Sequence, residues 1–522
     1  MVSLVHAAGL SGIEGYIVSV ECFFSGGLPR LDIVGLPGKA VSEAGERVRA
    51  AVKFAGYEWP VSRITINLAP ADVRKEGPVY DLPILLAILS ASGQIAPPPD
   101  DALFIGELSL TGALRPVSGV LSMLLAARDA GLRRAYVPAD NAAEAAYAEG
   151  IEVFPVPTLV TLLNHLYHGA VLSPCPPPAP PAAADDALDF CHVLGQQTVK
   201  RALEIAAAGG HNILLCGSPG SGKSMMAKRF STILPPLEPD ERLEVIRIWS
   251  ALGQGEQAAR MVGRPVRAPH HTTSAQALAG GTGRPGRLPQ PGDISLAHNG
   301  VLFLDEFPEF HKDVLEVLRQ PLEDGVVSIS RAIGKVDYPA RFQLIAAMNP
   351  CRCGWYGTPR CVCSPAAVQQ YIHRLSGPLM DRIDLQVAVQ PVSYAALAAR
   401  GERTEETSAA IRARVLAARE RQRDRLRDLG IRVNAAIPPA HMADCCPVDA
   451  AGAGHARGCL RPSGSDRPRV RPSAARRAHG GRPRRRRHHR RTAHRRGAQL
   501  PHRRPYGLIT FCYPQIIPRL CG

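Results

Sequence analysis

The 522-residue sequence lacks any run of 18 or more apolar residues. A helix needs about 20 such residues to cross a bilayer, so the sequence predicts no membrane-spanning helix. The N-terminus also lacks a charged segment followed by a long apolar one, which is the pattern of a secretory signal. The 13 cysteines are odd in number and scattered, unlike a secreted disulfide framework. These absences predict a cytoplasmic protein without a membrane partner.

Charge is distributed unevenly along the chain, whose formal net charge at pH 7 is +16. Residues 451–522 contain 19 Arg, no Lys and one acidic residue, Asp466, and therefore carry +18. The preceding 450 residues carry −2, so the positive charge belongs to one terminal segment. The overall charge therefore does not by itself indicate a nucleic-acid partner.

A glycine-rich segment lies between the apolar run 213–216 and a helix-like stretch at 225–230. The order of strand, glycine-rich turn and helix is the setting of a phosphate-binding loop, because glycines let backbone N–H groups face phosphate oxygens. Lys223 would reach the β- and γ-phosphates, and Ser224 would hold Mg²⁺. A plain turn between a buried strand and a helix is the alternative. The predicted loop consists of Gly217, Ser218, Pro219, Gly220, Ser221, Gly222, Lys223 and Ser224.

Two further apolar runs end in polar side chains. Residues 301–304 are followed by Asp305 and Glu306, and the run 342–348 is followed by Asn349. A buried strand needs no acids at its end to fold, but nucleotide hydrolysis does. Asp305 would orient Mg²⁺, and Glu306 would polarise the attacking water. Asn349 would contact the γ-phosphate or that water. Three strand ends at one phosphate site predict an ATPase.

Residues 1–170 alternate apolar strands with amphipathic helices and predict an independent α/β domain. A Pro- and Ala-rich segment, residues 171–188, predicts an extended linker without a core. The predicted strands are 16–22, 31–36, 63–68, 103–108 and 134–138, and the predicted helices are 41–56, 81–92, 120–130 and 141–149.

Two segments of this first domain, 74–78 and 110–119, resemble the stretches that precede the nucleophilic serine and the lysine of Lon proteases. Residues 63–123 as a whole are similar to the Lon-protease-like domain. Here, however, residues 79–81 contain no serine, and Met123 occupies the position where the lysine is expected. Without that pair there is no activated nucleophile, so we predict a domain without protease activity.

Four segments, 264–271, 293–300, 348–351 and 377–384, carry long and specific matches to one family. They resemble the ComM/YifB family of magnesium-chelatase-like AAA+ ATPases, which is tied to DNA branch migration in natural transformation. The resemblance implies an AAA+ core with a parallel sheet at 189–395 and a partial helical lid at 396–446. It also implies that Gly195 and Gln196 lie beside the adenine.

Basic residues occur in two insertions of this region. Arg284 and Arg287 lie near the tip of a glycine-rich insertion, and Arg331 and Lys335 flank the turn of a predicted β-hairpin at 325–338. Related ring helicases project such hairpins into a central pore, so the resemblance implies contact with the DNA backbone. A solvated, charged tip is the alternative.

Directly beyond Asn349, two Cys-x-Cys pairs are separated by seven residues. Two tight thiolate pairs could close a tetrahedral Zn²⁺ site, although the spacing differs from the common Cys-x-x-Cys form. A redox pair or free thiols are the alternatives. The candidate ligands are Cys351, Cys353, Cys361 and Cys363.

Arg382 resembles the arginine that related ATPases insert into the ATP site of the neighbouring subunit, where its charge stabilises the transition state. Arg374 is a second candidate, and a surface ion pair is the alternative. A role in a neighbour's site implies a ring of subunits, most simply a hexamer.

Past the charged helical segment 404–429, the expected pattern fails. The family would continue with a helical bundle that carries an ATP-sensing arginine, but residues 447–522 are Arg-rich and show no apolar periodicity. A frameshift near residues 445–450 and a genuine arginine-rich nucleic-acid tail are both compatible with this composition. In either case we predict a truncated lid and a disordered tail.

The sequence therefore predicts an ATP-driven ring motor that acts on DNA. Two alternatives remain open. One is a chelatase-like ATPase that remodels a protein or porphyrin-bearing partner, and the other is a nucleotide-binding scaffold impaired by its truncated lid.

Overall fold

The computed structural model describes residues 2–178, 188–281, 289–331, 334–391, 405–446 and 510–511. Within these ranges the chain forms two α/β units, which we call the first unit (residues 2–178) and the second unit (residues 188–446). The first unit has a seven-stranded sheet; the second has a six-stranded sheet that includes a two-residue strand at 510–511. The predicted α/β class is therefore confirmed.

The sheet of the first unit is mixed, with strand order β3-β4-β2-β1-β5-β8-β9. Its longest strands, β1 and β2, pair antiparallel along their length, while β5, β8 and β9 run parallel to one another. A separate two-stranded ribbon is formed by β6 and β7. The strands are β1 (Val2–Ser11), β2 (Glu14–Ser25), β3 (Arg30–Val34), β4 (Arg63–Ala69), β5 (Ala102–Phe104), β6 (Glu107–Leu108), β7 (Leu114–Arg115), β8 (Arg134–Pro138) and β9 (Glu152–Val156).

Helices cover this sheet, and the most apolar of them is buried on every side, from Asp81 to Ala91. The buried Asp81 carboxylate accepts hydrogen bonds from Arg47, with Nε to Oδ2 at 2.6 Å, and from the Leu108 N–H at 3.2 Å. The helices are α1 (Lys39–Ser42), α2 (Ala44–Phe54), α3 (Asp81–Ala91), α4 (Val120–Asp129), α5 (Ala142–Ala145) and α6 (Leu159–Tyr167).

The sheet of the second unit has the order β11-β14-β17-β10-β18-β19 and is parallel except for its edge strand β19. All six residues of β17 are buried, as expected for a central parallel strand that is covered on both faces. The strands are β10 (Ile213–Gly217), β11 (Val266–Arg267), β12 (Gly280–Gly281), β13 (Gln290–Pro291), β14 (Val301–Leu304), β15 (Val326–Arg331), β16 (Gly334–Pro339), β17 (Gln343–Met348), β18 (Leu385–Val389) and β19 (Thr510–Phe511).

The helices of the second unit surround this sheet, and the long charged helix α17 packs on α7 through the buried residues Ile411 and Val415. They are α7 (Gln197–Gly209), α8 (Lys223–Phe230), α9 (Pro239–Ser250), α10 (Gly255–Ala259), α11 (Ala275–Ala279), α12 (Asp293–Leu296), α13 (Lys312–Val317), α14 (Arg319–Asp324), α15 (Pro365–Ile372), α16 (Gly377–Met380), α17 (Ser408–Arg425) and α18 (Met442–Cys445).

The two units pack against each other, and buried apolar residues from both form one continuous cluster, while a second cluster lies within the second unit. Helix α9 lies on α4, where the Gly119 N–H donates to the Ser250 carbonyl at 3.0 Å. Arg247 of α9 forms an ion pair with Glu14 at 2.6 Å, and the Tyr147 hydroxyl donates to the Ala259 carbonyl at 3.1 Å. Direct contacts therefore hold the two units together.

Several sequence-based boundaries differ from the structure. The predicted strand 103–108 is divided into β5 and β6, because the Gly106 N–H leaves the sheet and bonds to the Val79 carbonyl at 3.0 Å. The predicted helix 141–149 shortens to α5, because the N–H groups of Tyr147 and Ala148 bond to carbonyls three residues back rather than four. Strands β1 and β9 were not predicted.

In the described part of the chain, no helix is both long and apolar enough to cross a membrane. Of residues 447–522 the structure describes only 510 and 511, which pair antiparallel with β18. The rest of the tail, which was predicted to be disordered, lies outside the described residues.

Candidate nucleotide site

Three neighbouring parallel strands, β14, β17 and β10, end at the same edge of the second sheet. Strand β14 leads into Asp305 and Glu306, β17 leads into Asn349, and β10 leads into the glycine-rich loop. Open parallel sheets bind ligands at this edge. The three segments singled out by sequence therefore meet at one place.

The glycine-rich loop turns tightly from β10 into α8. Gly220 and Gly222 have φ of 75° and 89°, the left-handed region that glycine adopts at little cost. Gly217 approaches β18 so closely that a Cβ would lie 2.5 Å from the Val389 carbonyl oxygen. Substitution of these glycines would push the loop away from the phosphate position.

Lys223 points back into this loop. Its Nζ donates to the Gly217 carbonyl at 2.7 Å, to the Ser218 carbonyl at 3.0 Å and to Asn349 Oδ1 at 3.1 Å. Burial lowers the pKa of the ammonium group, because desolvation disfavours its charge. An anionic phosphate beside Lys223 would offset that desolvation, so the site is suited electrostatically to a phosphate chain.

Ser224 and Asp305 form the candidate magnesium site, with Ser224 Oγ donating to Asp305 Oδ2 at 2.6 Å. A hydroxyl and a carboxylate are hard oxygen ligands of the kind Mg²⁺ takes together with phosphate oxygens and water. The donor set therefore fits Mg²⁺ bound with a nucleotide.

Glu306 follows with a left-handed backbone, φ 52°, and its side chain is about half exposed at 54%. Its Oε2 lies 3.0 Å from His271 Nδ1, and the His271 ring lies beside that of His270, with centroids 4.1 Å apart. Sequence reasoning did not assign His271 to the site. The sequence signal for it is the His-His pair in segment 264–271, a segment that by itself indicated only the family.

The candidate adenine segment is connected to the lid helix. The Gly195 N–H donates to Glu405 Oε1 at 2.8 Å, and Gln196 takes a left-handed conformation at φ 56° and donates to the Gln390 carbonyl. Lys200 and Glu405 form a buried ion pair at 2.6 Å. Breaking such a pair by removing one partner is costly, so movement of the start of the lid should be felt at residues 195–196.

The two candidate arginines make contacts within their own chain. Arg382 pairs with Glu323 of α14 at 2.7 Å, and Arg374 pairs with Glu309 at 2.8 Å. Both side chains are partly exposed, at 37% and 48%. Exposed pairs of this kind are weak, so a phosphate group could compete for either arginine.

The candidate DNA residues are described in part. The predicted hairpin is formed by β15 and β16, with exposed Arg331 and Lys335 flanking its turn. Lys335 forms an exposed ion pair with Asp337 at 3.3 Å. Arg284 and Arg287 lie outside the described residues.

The four cysteines lie together at the end of β17, and all four sulfur atoms are within 4.8 Å of one another. Backbone N–H groups of Trp355 and Val362 bond to Cys353 and lower its pKa to about 6. Backbone N–H groups also act to lower the pKa of Cys361 and Cys363, but desolvation and the neighbouring sulfurs outweigh them and raise it. Such a group of thiols can hold a thiophilic metal ion.

The protease-like region holds a cavity of about 290 Å³ between the two units. Val79 and Met123, from the segments that would carry a serine and a lysine, both line it, together with Tyr338 of β16. Neither side chain can serve as a nucleophile or a base.

Family comparisons match most of the chain. The model for the magnesium chelatase subunit ChlI matches residues 189–397, that for subunit ChlI of Mg-chelatase matches 20–141, and that for the ChlI C-terminal region matches 405–463. The last match extends past residue 446, so similarity to the C-terminal region continues into the segment assigned by sequence to the tail.

Individual relatives agree with these matches. YifB of Salmonella typhimurium is 44% identical over 434 residues, which is 83% of this chain and 84% of that protein. The competence protein ComM of Haemophilus influenzae is 42% identical over 428 residues, 81% of this chain and 83% of that protein. An archaeal Lon protease of Methanothermobacter thermautotrophicus is 31% identical over 145 residues, 27% of this chain and 22% of that protein.

Proposed function

Because this chain belongs to the ComM/YifB family of magnesium-chelatase-like AAA+ proteins, we propose that it is an ATP-hydrolysing ring motor that acts on DNA in the cytoplasm. ATP and Mg²⁺ are its cofactors, with Zn²⁺ a third at the four cysteines. Its working form is a ring, most simply a hexamer. The proposed domains are residues 1–170, a linker at 171–188, an ATPase core at 189–395, a lid at 396–446 and a tail at 447–522.

The ATPase part of the proposal is supported by one observation. Two hydrogen bonds, Ser224 to Asp305 at 2.6 Å and Lys223 to Asn349 at 3.1 Å, bring the ends of three strands into one cluster. In this assignment Lys223 contacts the β- and γ-phosphates, and Ser224 and Asp305 hold Mg²⁺. Asn349 contacts the γ-phosphate.

Three further residues take part in the hydrolysis step in this assignment. Glu306 accepts a hydrogen bond from the attacking water and polarises it, and His271 holds the carboxylate in position. Arg382 of a neighbouring subunit supplies positive charge to the transition state. For this, its pair with Glu323 must open when a neighbour binds.

The DNA part of the proposal is supported by the β15–β16 hairpin, with two exposed basic residues beside its turn, and by the relative named a competence protein. Contact of Arg331 and Lys335 with phosphates would be independent of base sequence and sensitive to salt. Branch migration, as in natural transformation, is a reaction that requires such sequence-independent movement along DNA.

A chelatase-like remodeller is the second candidate, favoured by the three chelatase family matches. The deciding experiment is ATP turnover of the purified chain with single-stranded DNA, branched DNA or no DNA, beside the Glu306→Gln variant as a blank. We expect turnover to rise severalfold with DNA. Turnover that is vigorous but indifferent to every DNA form would overturn the DNA motor and leave the remodeller.

An impaired scaffold is the third candidate: with a truncated lid, the full chain would bind ATP but barely hydrolyse it. Shortened chains test whether the tail contributes to turnover. We compare the full chain with chains ending at residue 446 and at residue 463, where the C-terminal family match ends. If the arginine run only binds DNA nonspecifically, both shortened chains should keep ATP turnover and lose part of their DNA affinity. Loss of ring formation and turnover on shortening would show that the tail is a working part of the motor.

A further inference from the structure

The sulfur atoms of the four-cysteine cluster lie closer together than a set of ordinary free thiols requires. Its sulfur atoms are separated by 3.3 Å between Cys351 and Cys353, 3.9 Å between Cys351 and Cys361, and 3.7 Å between Cys353 and Cys361. With Zn–S bonds of about 2.3 Å, the edges of a tetrahedron of sulfurs measure about 3.8 Å. Three of the sulfurs are thus spaced close to these edges, and all four lie within 4.8 Å of one another, near enough to share one metal ion.

The backbone around the cluster is arranged to support thiolates. The Cys353 sulfur accepts hydrogen bonds from the backbone N–H groups of Trp355 and Val362. The Cys361 sulfur accepts one from the Cys363 N–H, and the Cys363 sulfur accepts one from the Cys353 N–H. Such contacts orient metal ligands and stabilise their negative charge. Four soft sulfur ligands in tetrahedral geometry favour Zn²⁺ over Mg²⁺.

The same loop is in direct contact with the nucleotide site. Gly354 lies against Pro219 of the phosphate-binding loop, so closely that a Cβ on Gly354 would be 2.6 Å from Pro219 Cδ. At the other end, Cys351 follows Asn349 by two residues, and Asn349 accepts the Lys223 hydrogen bond at 3.1 Å. One short loop therefore touches the phosphate-binding loop at two points.

We infer that Cys351, Cys353, Cys361 and Cys363 bind one Zn²⁺, and that the metal-loaded loop is a brace that positions Asn349 and Pro219 for ATP hydrolysis. The cysteines are positioning residues and do not touch the nucleotide. The loop from 351 to 363 contains no regular helix or strand. Without a metal its shape would depend on weak local contacts, whereas tetrahedral coordination fixes both of its ends. The role of the brace rests on the proposed ATPase function, but metal binding does not.

The first experiment measures zinc in the purified chain by elemental mass spectrometry, without added metal and after exposure to Zn²⁺. We expect about one Zn²⁺ per chain, lost in Cys361→Ser and Cys363→Ser. Cys175→Ser, a partly buried cysteine in the first unit, is the matched control and should keep its zinc. Replacement by Co²⁺ should give the visible absorption of tetrahedral thiolate coordination. A chain without zinc in both conditions, or equal zinc in the Cys361→Ser and control variants, overturns the metal site.

The second experiment separates the brace from the metal. Gly354→Ala keeps all four cysteines but forces the loop away from Pro219, and Gly357→Ala imposes a similar backbone penalty in the same loop, since the two φ values are 84° and 83°. We expect Gly354→Ala to retain zinc while kcat for ATP falls about tenfold. Gly357→Ala should retain both. Cys361→Ser should lose zinc, with a similar fall in kcat and a smaller change in nucleotide affinity.

The outcomes distinguish the two proposals. Normal turnover in a zinc-free Cys361→Ser chain would overturn the brace while leaving the ATPase intact. If the unmodified chain binds zinc but hydrolyses no ATP, the proposed ATPase fails. Affinity for a fluorescent ATP analogue then tests the brace, which predicts weaker binding in Gly354→Ala than in Gly357→Ala. Equal affinities there would overturn it.

Discussion

In the first unit the buried carboxylate of Asp81 is enclosed by its own fold, with Arg47 at 2.6 Å and the Leu108 N–H at 3.2 Å. In the second unit the carboxylates of Asp305 and Glu306 stand at the end of a strand. There Asp305 accepts from Ser224, and Glu306 is about half exposed. Both units are α/β, and both place acids near the ends of apolar segments. They differ in how much of each acid's bonding capacity the fold itself uses.

This difference distinguishes a structural charge from a chemical one. A carboxylate whose bonds are all made inside the fold has none left for a substrate, whereas one at a sheet edge can exchange its partner for a metal or water. The same fold class can thus place a candidate catalytic carboxylate in one unit and a structural carboxylate in the other. Substitutions in the second unit should change activity, and those in the first should change stability.

The largest expected effect is at Lys223 and Glu306. Lys223→Ala should abolish ATP binding, because the phosphates lose their principal cation. Glu306→Gln should keep binding and lower turnover by roughly 100-fold or more, because the amide cannot act as a base. Fluorescent-nucleotide titration and phosphate release measure the two steps. Equal turnover in Glu306→Gln and its parent would remove that carboxylate from the mechanism.

The next effect concerns the hairpin. Arg331→Ala combined with Lys335→Ala should weaken DNA binding about tenfold and make the slope of log affinity against log salt shallower by roughly 1 to 2, since two phosphate contacts are lost. Basal ATP turnover should stay near that of the parent. The matched control removes two exposed lysines of the first unit, Lys39→Ala with Lys53→Ala. If both double variants change the slope equally, the hairpin has no special place in the DNA path.

A smaller effect is expected at His271, which lies 3.0 Å from Glu306. His271→Ala should lower kcat roughly threefold to tenfold without changing nucleotide affinity, because Glu306 loses one of the contacts that orient it. His271→Asn can still donate a hydrogen bond and should recover part of the rate. A rise in nucleotide Kd with unchanged kcat would instead mean that His271 acts in binding.

The smallest effect belongs to the first unit, at Glu144, which is 2% exposed and bonded to Asn141 and Ser250. Burial raises its pKa above the ordinary value of 4.5, although the bonds from Ser250 and Asn141 oppose the shift. The folded state therefore holds this proton more tightly than the unfolded one. The stability contributed by the proton is complete below about pH 4.5 and is lost as the pH rises through the raised pKa.

Glu144→Gln keeps the side-chain shape and removes the titration. The melting temperature of the parent, measured relative to this variant, should therefore fall as the pH rises from 4 to 8, by a few degrees for about 1 kcal/mol. ATP turnover should be unaffected. The exposed Glu149→Gln is the control and should follow the parent. Parallel melting curves for parent and Glu144→Gln would show that burial of this carboxyl does not affect folding.

Much of the fold was predictable because its signals are local. The apolar runs before the phosphate-binding loop and before Asp305 are short, uninterrupted and buried, and they became β10 and β14. Strand β1 escaped prediction because its centre, Ala7-Ala8-Gly9, consists of small residues whose pattern fits neither period well. Its ten-residue pairing with β2 determines the structure there.

The sequence by itself determined the chemistry available to this protein: a glycine-rich loop ending in Lys-Ser, paired acids, an asparagine after an apolar run, and four closely spaced cysteines. These are properties of residue type and short spacing. Only the tertiary structure decided which of them meet. The parallel order β14-β17-β10 brings Asn349 to Lys223 across 126 positions of sequence. Packing alone places His271 beside Glu306 and Gly354 against Pro219, because contacts between distant segments depend on strand order and loop path, which no local pattern encodes.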